Sequence, residues 1–302
     1  MELRDLEYFA KIAALGNVRR AADDLNMSPA ALSKCLRRLE QSLNAKLTRR
    51  TPKGIELTPV GTALMAQVSR IRLTMQDVLR EAEHLSSGQA GHLRVGTSPV
   101  RVEETYSAYA RLLNVSPRAT VDISVSDNDV LVPMLQKGEL DLIVNYLPET
   151  PVAGCVLESI YDDDIVVCVS MSHPLARRRS VTMLELTRER WVLSPINMFP
   201  WHWLHAAFTS RGLPAPRVAV QSRSLRMRLL LVASSNLLSF TSNRVIQQAA
   251  AHLRVKALPL KEVKWRQAVG VIYREGGYLS PVAIRLVEIL RAAAKNDSLD
   301  DR

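Results

Sequence analysis

The chain has 302 residues, 40 Lys plus Arg against 30 Asp plus Glu, a formal net charge of +10 and 47% hydrophobic residues. With a pI near 9.8 it favours polyanions. No apolar run approaches the roughly 20 residues that span a bilayer, which leaves nucleic acid ahead of a membrane, and the missing signal-peptide core and three unpaired-looking cysteines predict a cytoplasmic protein.

Leu6, Phe9, Ile12 and Ala13 mark one face of a first helix. Asn17 can cap a short second helix carrying Ala21, Ala22 and Leu25, whose small side chains let another helix approach closely. Only Asn26, Met27 and Ser28 separate it from a third helix, the spacing of a helix-turn-helix. Ser28 is a natural cap there and Pro29 fits the first helical position, where its missing N–H costs nothing. At about 100° per residue, Leu32, Leu36, Leu39 and Leu43 form a narrow apolar stripe. Ala30, Ser33, Lys34, Arg37, Arg38 and Gln41 occupy the opposite arc, where small groups admit base edges and long cations reach phosphates. A solvated basic face is the plainer alternative for this helix alone, and its helical context favours DNA.

After Leu43 the chain turns near Asn44. Short alternating segments around Pro52-Lys53-Gly54 then predict a two-stranded wing with Arg50 and Lys53 near its tip. Residues 1 to 58 carry 11 cations against 7 anions, the densest excess in the chain. The DNA-contacting candidates are Ser28, Pro29, Ala30, Ser33, Lys34, Arg37, Arg38, Arg50 and Lys53, with double-stranded DNA as partner.

These blocks resemble the LysR-type transcriptional regulators. The likeness covers about the first 65 residues: Leu6-Glu7-Tyr8-Phe9, Ala21-Ala22-x-x-Leu25, Ser28 to Ser33, Leu39-Glu40, Leu47-x-Arg49-Arg50-Thr51 and Leu57-Thr58-Pro59-x-Gly61. The chain departs from the family pattern at Pro29-Ala30, where Gln-Pro is common, and at Thr48, where phenylalanine is usual. Base preference is therefore not carried over from the family.

From the Thr58-Pro59 start, Leu64, Val68, Ile71, Met75, Val78, Ala82 and Leu85 recur at alternating four- and three-residue steps. A helix of about 28 residues would run roughly 42 Å, longer than a small winged head needs for its own core. Its apolar edge points to a second copy of the chain, which would offer two basic helices to successive half-sites. The resemblance implies the same: a homodimer through this helix that assembles to a homotetramer, with RNA polymerase as a further partner open to such a regulator.

Ser86 to Gly91 reads as a hinge. The expected domains are a winged helix-turn-helix over 1–58, a linker helix and hinge over 59–90, and an effector domain over 91–302. In the last, short apolar runs alternate with helical ones: 93–96, 121–125, 140–144, 165–169, 191–193, 218–220, 237–240 and 268–273 are candidate strands. The class is multidomain α/β, with ligands expected at the carboxyl ends of strands. Ser98 could cap a helix starting at Pro99, placing Thr97 and Ser98 hydroxyls beside a cleft suited to a carboxylate. Capping and ligand contact are equally open there. Ser126 to Asp129 likewise precedes a helix over 130–136, but its two aspartates oppose an anion and read as plain caps.

The resemblance implies a periplasmic-binding-protein-like effector domain of two subdomains, about 91–162 with 267–302 and 163–266, joined by two crossover strands. Its cleft would gather Thr97, Ser98, Asn145, Ser194, Phe199 and Thr241 around a small-molecule effector. Arg101, Arg223 and Arg274 are candidate anion partners or solvated cations. Some family members sense oxidants through a cysteine pair, so Cys155 with Cys168 offers a redox alternative.

No cofactor is called for, and an enzyme is the opposing class. The sequence has no GxGxxG, phosphate loop or Gly-x-Ser-x-Gly turn. His202 and His205 make a weak metal pair, so no metal site is assigned, and Asp162-Asp163-Asp164 reads as a solvated turn before a buried strand. A solute-binding protein would fit the back two thirds but not the basic front.

Overall fold

Helix α1 (Leu3–Leu15) buries Leu6, Phe9 and Ile12, the face its periodicity predicts, and stops at Gly16, whose φ of 58° is left-handed. The computed structural model describes residues 2–52, 54–86, 91–195 and 201–300, with backbone only at 84–85, 103–104 and 295–300. Asn17 caps α2 (Val18–Asp24) by accepting from the backbone N–H groups of Arg19 and Arg20. Asn26, at φ 52°, makes the turn into α3 (Pro29–Ser42), which Ser28 caps by accepting from Ala31 N–H at 3.2 Å. Leu32 and Leu39 are fully buried against α1 and α2. Leu43 departs from the expected stripe: the helix ends at Ser42, and Leu43 is left exposed at its C-cap.

The wing is β1 (Thr48–Thr51) antiparallel to β2 (Gly54–Leu57). Its root is bound to α3 by Glu40, whose buried carboxylate accepts from Leu47 N–H at 3.0 Å, Thr48 N–H at 3.4 Å and Lys46 Nζ at 2.7 Å. Helix α4 (Pro59–Ser86) then runs the predicted 28 residues, its first turn fastened by Thr58 Oγ1 accepting from Gly61 N–H. Only glycine fits at 61, because a Cβ there would sit 2.0 Å from the Leu47 carbonyl oxygen. Val68 joins the core of the head, while Ile71, Met75 and Val78 on the heptad seam are exposed.

The chain divides into two compact units, Met1–Ala82 with Gly276–Tyr278, and Glu83–Glu275 with Leu279–Arg302. The expected hinge falls largely on residues 87–90, outside the described residues. In the larger unit, β3 (His92–Thr97) pairs in parallel with β4 (Thr120–Val125) and β5 (Leu142–Tyr146), flanked by α5 (Val102–Val115) and α6 (Asn128–Gln136). This is the first lobe. Two long strands, β6 (Cys155–Ser170) and β11 (Trp265–Arg274), run antiparallel to each other through the middle of the sheet. The second lobe hangs on them: β7 (Arg190–Leu193) is parallel to β8 (Arg217–Gln221) and β9 (Leu237–Ser242), with short β10 (Val255–Ala257) on β6.

Each lobe is sheet between helices. In the first, α5 and α11 (Pro281–Asp300) cover one face and α6 the other. In the second, α7 (Met183–Leu186) and α8 (Trp201–Thr209) cover one face, with α9 (Leu225–Ser234) and α10 (Asn243–Leu253) opposite. The register slips between Val269 and Gly270, where a side chain at 270 would strike the Glu158 carbonyl.

Two expectations are corrected here. Asp162-Asp163-Asp164 is no solvated turn but the middle of β6: strand alternation leaves Asp162 and Asp164 exposed and turns Asp163 inward, where Arg101 neutralises it. Ser98 caps no helix at Pro99. The helix starts at Val102, and Ser98 instead closes a turn through its carbonyl, which accepts from Arg101 N–H.

Candidate DNA interface and effector cleft

Along α3, Ser28, Pro29, Ala30, Lys34 and Arg37 are exposed and Ser33 is half-buried, on the side away from Leu32 and Leu39. Arg37 Nε lies 3.4 Å from the Ser33 carbonyl, leaving its terminal nitrogens outward. Arg38 behaves differently. Its guanidinium pairs with Asp5, a carboxylate buried at the start of α1 that also accepts from the backbone N–H of Glu2. Arg38 chiefly holds Asp5 below the usual carboxylate range, with burial of Asp5 pulling the other way, and so fastens α3 to α1. Arg50 is exposed on β1, beside an Arg49–Glu56 pair across the wing. Lys53 lies outside the described residues.

In the larger unit a cavity of about 430 Å³ opens between the lobes at the carboxyl ends of β3, β5, β7 and β9. Ser98, Asn145, Ser194 and Thr241 all line it, as expected. Thr97 does not: its hydroxyl is turned into the sheet and donates to the Val144 carbonyl at 3.1 Å, so it is a core residue of β3. Phe199 lies outside the described residues. Asn145 is held in place, donating from Nδ2 to Asn128 Oδ1 and accepting at Oδ1 from Tyr146 N–H.

The three candidate arginines separate by partner. Arg101 is fully buried; its Nη2 donates to Asp163 at 2.6 Å and to Tyr146 Oη at 2.8 Å, and its Nη1 donates to Tyr161 Oη. Ser242 Oγ donates to the same Asp163, so this network ties the turn before α5 to β5, β6 and β9. Arg274 donates to the carbonyls of Leu135 and Leu140 within the first lobe. Arg223 lines the cleft and reaches from the second lobe to Asp127, at 3.1 Å, and Asp129, at 3.9 Å, on the first. Burial raises the Asp127 carboxyl above its ordinary range, against the pull of Arg223. A second tie crosses the cleft where Trp203 Nε1 donates to Glu149 at 2.6 Å.

The sequence reading missed Arg228. It lines the same cavity from α9, is 4% exposed, donates from Nη1 to the Ser222 carbonyl at 2.7 Å, and its Nε meets no partner. Among the described residues no carboxylate lies within salt-bridge distance of it; burial pushes its guanidinium down to about 10, against the longer-range attraction of Asp127. Ser98 Oγ and Thr241 Oγ1, also in the cavity, are likewise buried without a hydrogen-bond partner.

Cys155 and Cys168 sit at opposite ends of β6, thirteen residues apart, hence roughly 40 Å at about 3.3 Å per residue. A disulfide needs Cα atoms within about 7 Å, so the proposed redox pair is excluded. Among the described residues no group of three or more His, Cys, Asp or Glu is placed to hold a metal, and His205 stacks on Trp201. No described helix is long and apolar enough to cross a membrane.

Residues 3–62 match the family model described as a bacterial regulatory helix-turn-helix protein of the lysR family, and residues 86–295 match the LysR substrate binding domain. The chain is 27% identical over 298 residues to the HTH-type transcriptional regulator GbpR of Azospirillum brasilense, covering 97% of this chain and 87% of that one. It is 25% identical to the HTH-type transcriptional regulator GalR of Pseudomonas putida, covering 96% and 73%. Among solved structures it is similar to full-length CbnR complexed with target DNA (TM-score 0.58, 22% identity, 97% and 100% covered). It is also similar to the Synechocystis PCC6803 CcmR regulatory domain in complex with 2-PG (TM-score 0.62, 18% identity, 68% and 98% covered). A chain with this head, this two-lobed domain and these matches belongs to the LysR family of transcriptional regulators.

Proposed function

We propose that this regulator binds promoter DNA as a homodimer assembling to a homotetramer, in the cytoplasm, and that a small carboxylate effector in the lobe cleft adjusts its action on transcription. The observation that carries the DNA reading is the outward face of α3: Lys34 and Arg37 project from a helix whose opposite face buries Leu32 and Leu39 completely. Ser28, Pro29, Ala30 and Ser33 lie on or beside that face and admit base edges, while Arg50 and Lys53 serve the backbone from the wing. Arg38, 57% exposed, both fastens α3 to α1 through Asp5 and stands on the same basic arc. The exposed Ile71, Met75 and Val78 edge supports pairing through α4. For the effector, Ser98, Asn145, Ser194 and Thr241 are the contact residues, joined by Arg228.

Fluorescence anisotropy of the full chain on a DNA fragment selected from random sequence tests this. Affinity should fall steeply with salt, and Lys34→Ala or Arg37→Ala should each flatten the plot of log K against log salt by about 0.9 where it removes one phosphate contact. Binding whose salt slope is untouched by both substitutions refutes the assignment of α3.

A further inference from the structure

Resting on the cleft reading above, we infer that Arg228 is the residue that reads the effector's negative charge, and that it selects monocarboxylates carrying a hydroxyl or ammonium group over dicarboxylates. Charged side chains are almost never fully buried without a partner. The other candidate cations are excluded on different grounds: Arg101 and Arg223 are paired with carboxylates, and Arg274, held by carbonyls of the first lobe, does not line the cavity; Arg228 lines it, bound only by Nη1 to the Ser222 carbonyl and, at 3.5 Å, that of Arg223. Among the described residues Arg228 alone combines 4% exposure, a place in the cavity wall, a free Nε and no carboxylate. Its fork can take one carboxylate side-on, with Nη1 already braced by Ser222.

The remaining groups define the rest of the ligand. Ser98 Oγ and Thr241 Oγ1 are buried hydrogen-bonding groups awaiting partners, one from each lobe. Toward the rim the cavity meets Asp127, Asp129 and Glu149. Only Arg223 offsets these three acids, so the rim keeps a negative excess that accepts from a hydroxyl or ammonium and repels a second carboxylate. Among the described residues only one buried cation in the cavity wall is without a carboxylate, so a dianion would leave one charge facing acids.

A buried, unpaired cation also destabilises the empty protein. Replacing it by an apolar residue of similar length should therefore raise stability while abolishing charge recognition, a combination that a merely structural arginine would not produce.

The test uses full-length protein and four- to six-carbon probes: unsubstituted, 2-hydroxy and 2-amino monocarboxylates, each beside its neutral amide and the matching dicarboxylate. Titration calorimetry and thermal melting are read at constant ionic strength. The wild type should bind at least one substituted acid 100-fold or more tightly than its amide and its dicarboxylate. The hydroxy and amino series show which donor the rim prefers. Arg228→Met should melt higher without ligand and bind acid and amide within threefold of each other. Arg228→Lys, which keeps the charge without the fork, should lose tenfold or more in affinity yet still prefer the acid, and it decides the matter should the Met variant not fold. Thr241→Val should weaken both acid and amide by about tenfold. Acid binding unchanged in the Arg228 variants but weakened in Thr241→Val overturns the role of Arg228 and leaves the cleft standing. No acid binding by the wild type, or binding indifferent to all three substitutions, overturns both.

Discussion

Replacing Glu40 by alanine should loosen the wing without touching any residue that faces DNA. The carboxylate is 7% exposed and supplies the acceptor for Leu47 N–H, itself buried, and for Thr48 N–H at a longer 3.4 Å. A buried N–H stripped of its acceptor costs about 1–3 kcal/mol, and bonds to an ionised acceptor lie toward the upper end. The bond to Lys46 adds less than about 1 kcal/mol, since that ammonium is 77% exposed and screened by solvent. The sum is about 2–3 kcal/mol, and at about 1.4 kcal/mol per decade local opening should become roughly 30- to 150-fold more frequent. Amide hydrogen exchange on the full chain reads this as faster exchange confined to the peptide covering residues 46–57. Glu40→Gln keeps one acceptor oxygen and should recover more than half of the protection. Promoter affinity should follow the same order, because Arg50 rides on β1.

The pH dependence has a definite sign. Burial alone would raise the Glu40 carboxyl, but Lys46 and the two backbone N–H groups outweigh it and hold the group below 4.5. Its contribution is therefore complete above the unfolded value and is lost as pH falls through the lower folded one. Wing protection in the wild type should be lost as pH falls below the ordinary glutamate range, a loss that Glu40→Ala should not show. Equal exchange in wild type, Gln and Ala proteins would refute the idea that this carboxylate fastens the wing.

Gly61→Ala should cost at least about 3 kcal/mol, since the new methyl group would lie 2.0 Å from the Leu47 carbonyl and force α4 off the wing; a thermal melt within about 2 °C of wild type contradicts this. Met75→Glu or Val78→Glu, each at an exposed seam position, should shift sedimentation toward monomer and cut promoter affinity at least tenfold without lowering the melting temperature of the larger unit.

The winged head is legible in the sequence because its determinants are local. Asn17, Ser28 and Thr58 announce their helices from within three residues, and the α4 repeat lies along one continuous segment. The Arg38–Asp5 pair is not legible in the sequence because the partners lie 33 residues apart, and a helical projection shows which way a cation faces but not which carboxylate it meets. The Asp162-Asp163-Asp164 run fails in the same way: three acids suggest a turn until Arg101, 62 residues earlier, is known to meet the middle one. The strand cores of the larger unit are readable from apolar runs, whereas the polar first half of β6 is not. Arg228 does leave a signal. It falls three residues after Leu225 and four before Val232, so it shares the buried stripe of α9 with Leu225, Leu229 and Val232. A cation on an apolar stripe points either to a buried counter-charge or to an anion yet to bind, because desolvating it alone is too costly.

The energetics of the cleft say where an effector can act. An effector shifts an equilibrium only by the difference in its affinity for the two states, and useful couplings are about 1–3 kcal/mol. The Arg223–Asp127 tie across the mouth is poorly placed to supply that: Arg223 is 52% exposed, and an ion pair in such a setting contributes about 0–1 kcal/mol. Trp203 and Glu149 form a single exposed hydrogen bond, with similarly modest leverage. The larger reserve lies inside, where one guanidinium nitrogen, Arg228 Nε, and two hydroxyls are already desolvated and unsatisfied. Ser98 belongs to the first lobe and Arg228 with Thr241 to the second, so one anion satisfying all three rewards the arrangement that brings them together and no other. On the proposed reading, the lobes' relative pose is the quantity the ligand controls, and the rim pair adds only a small bias toward it.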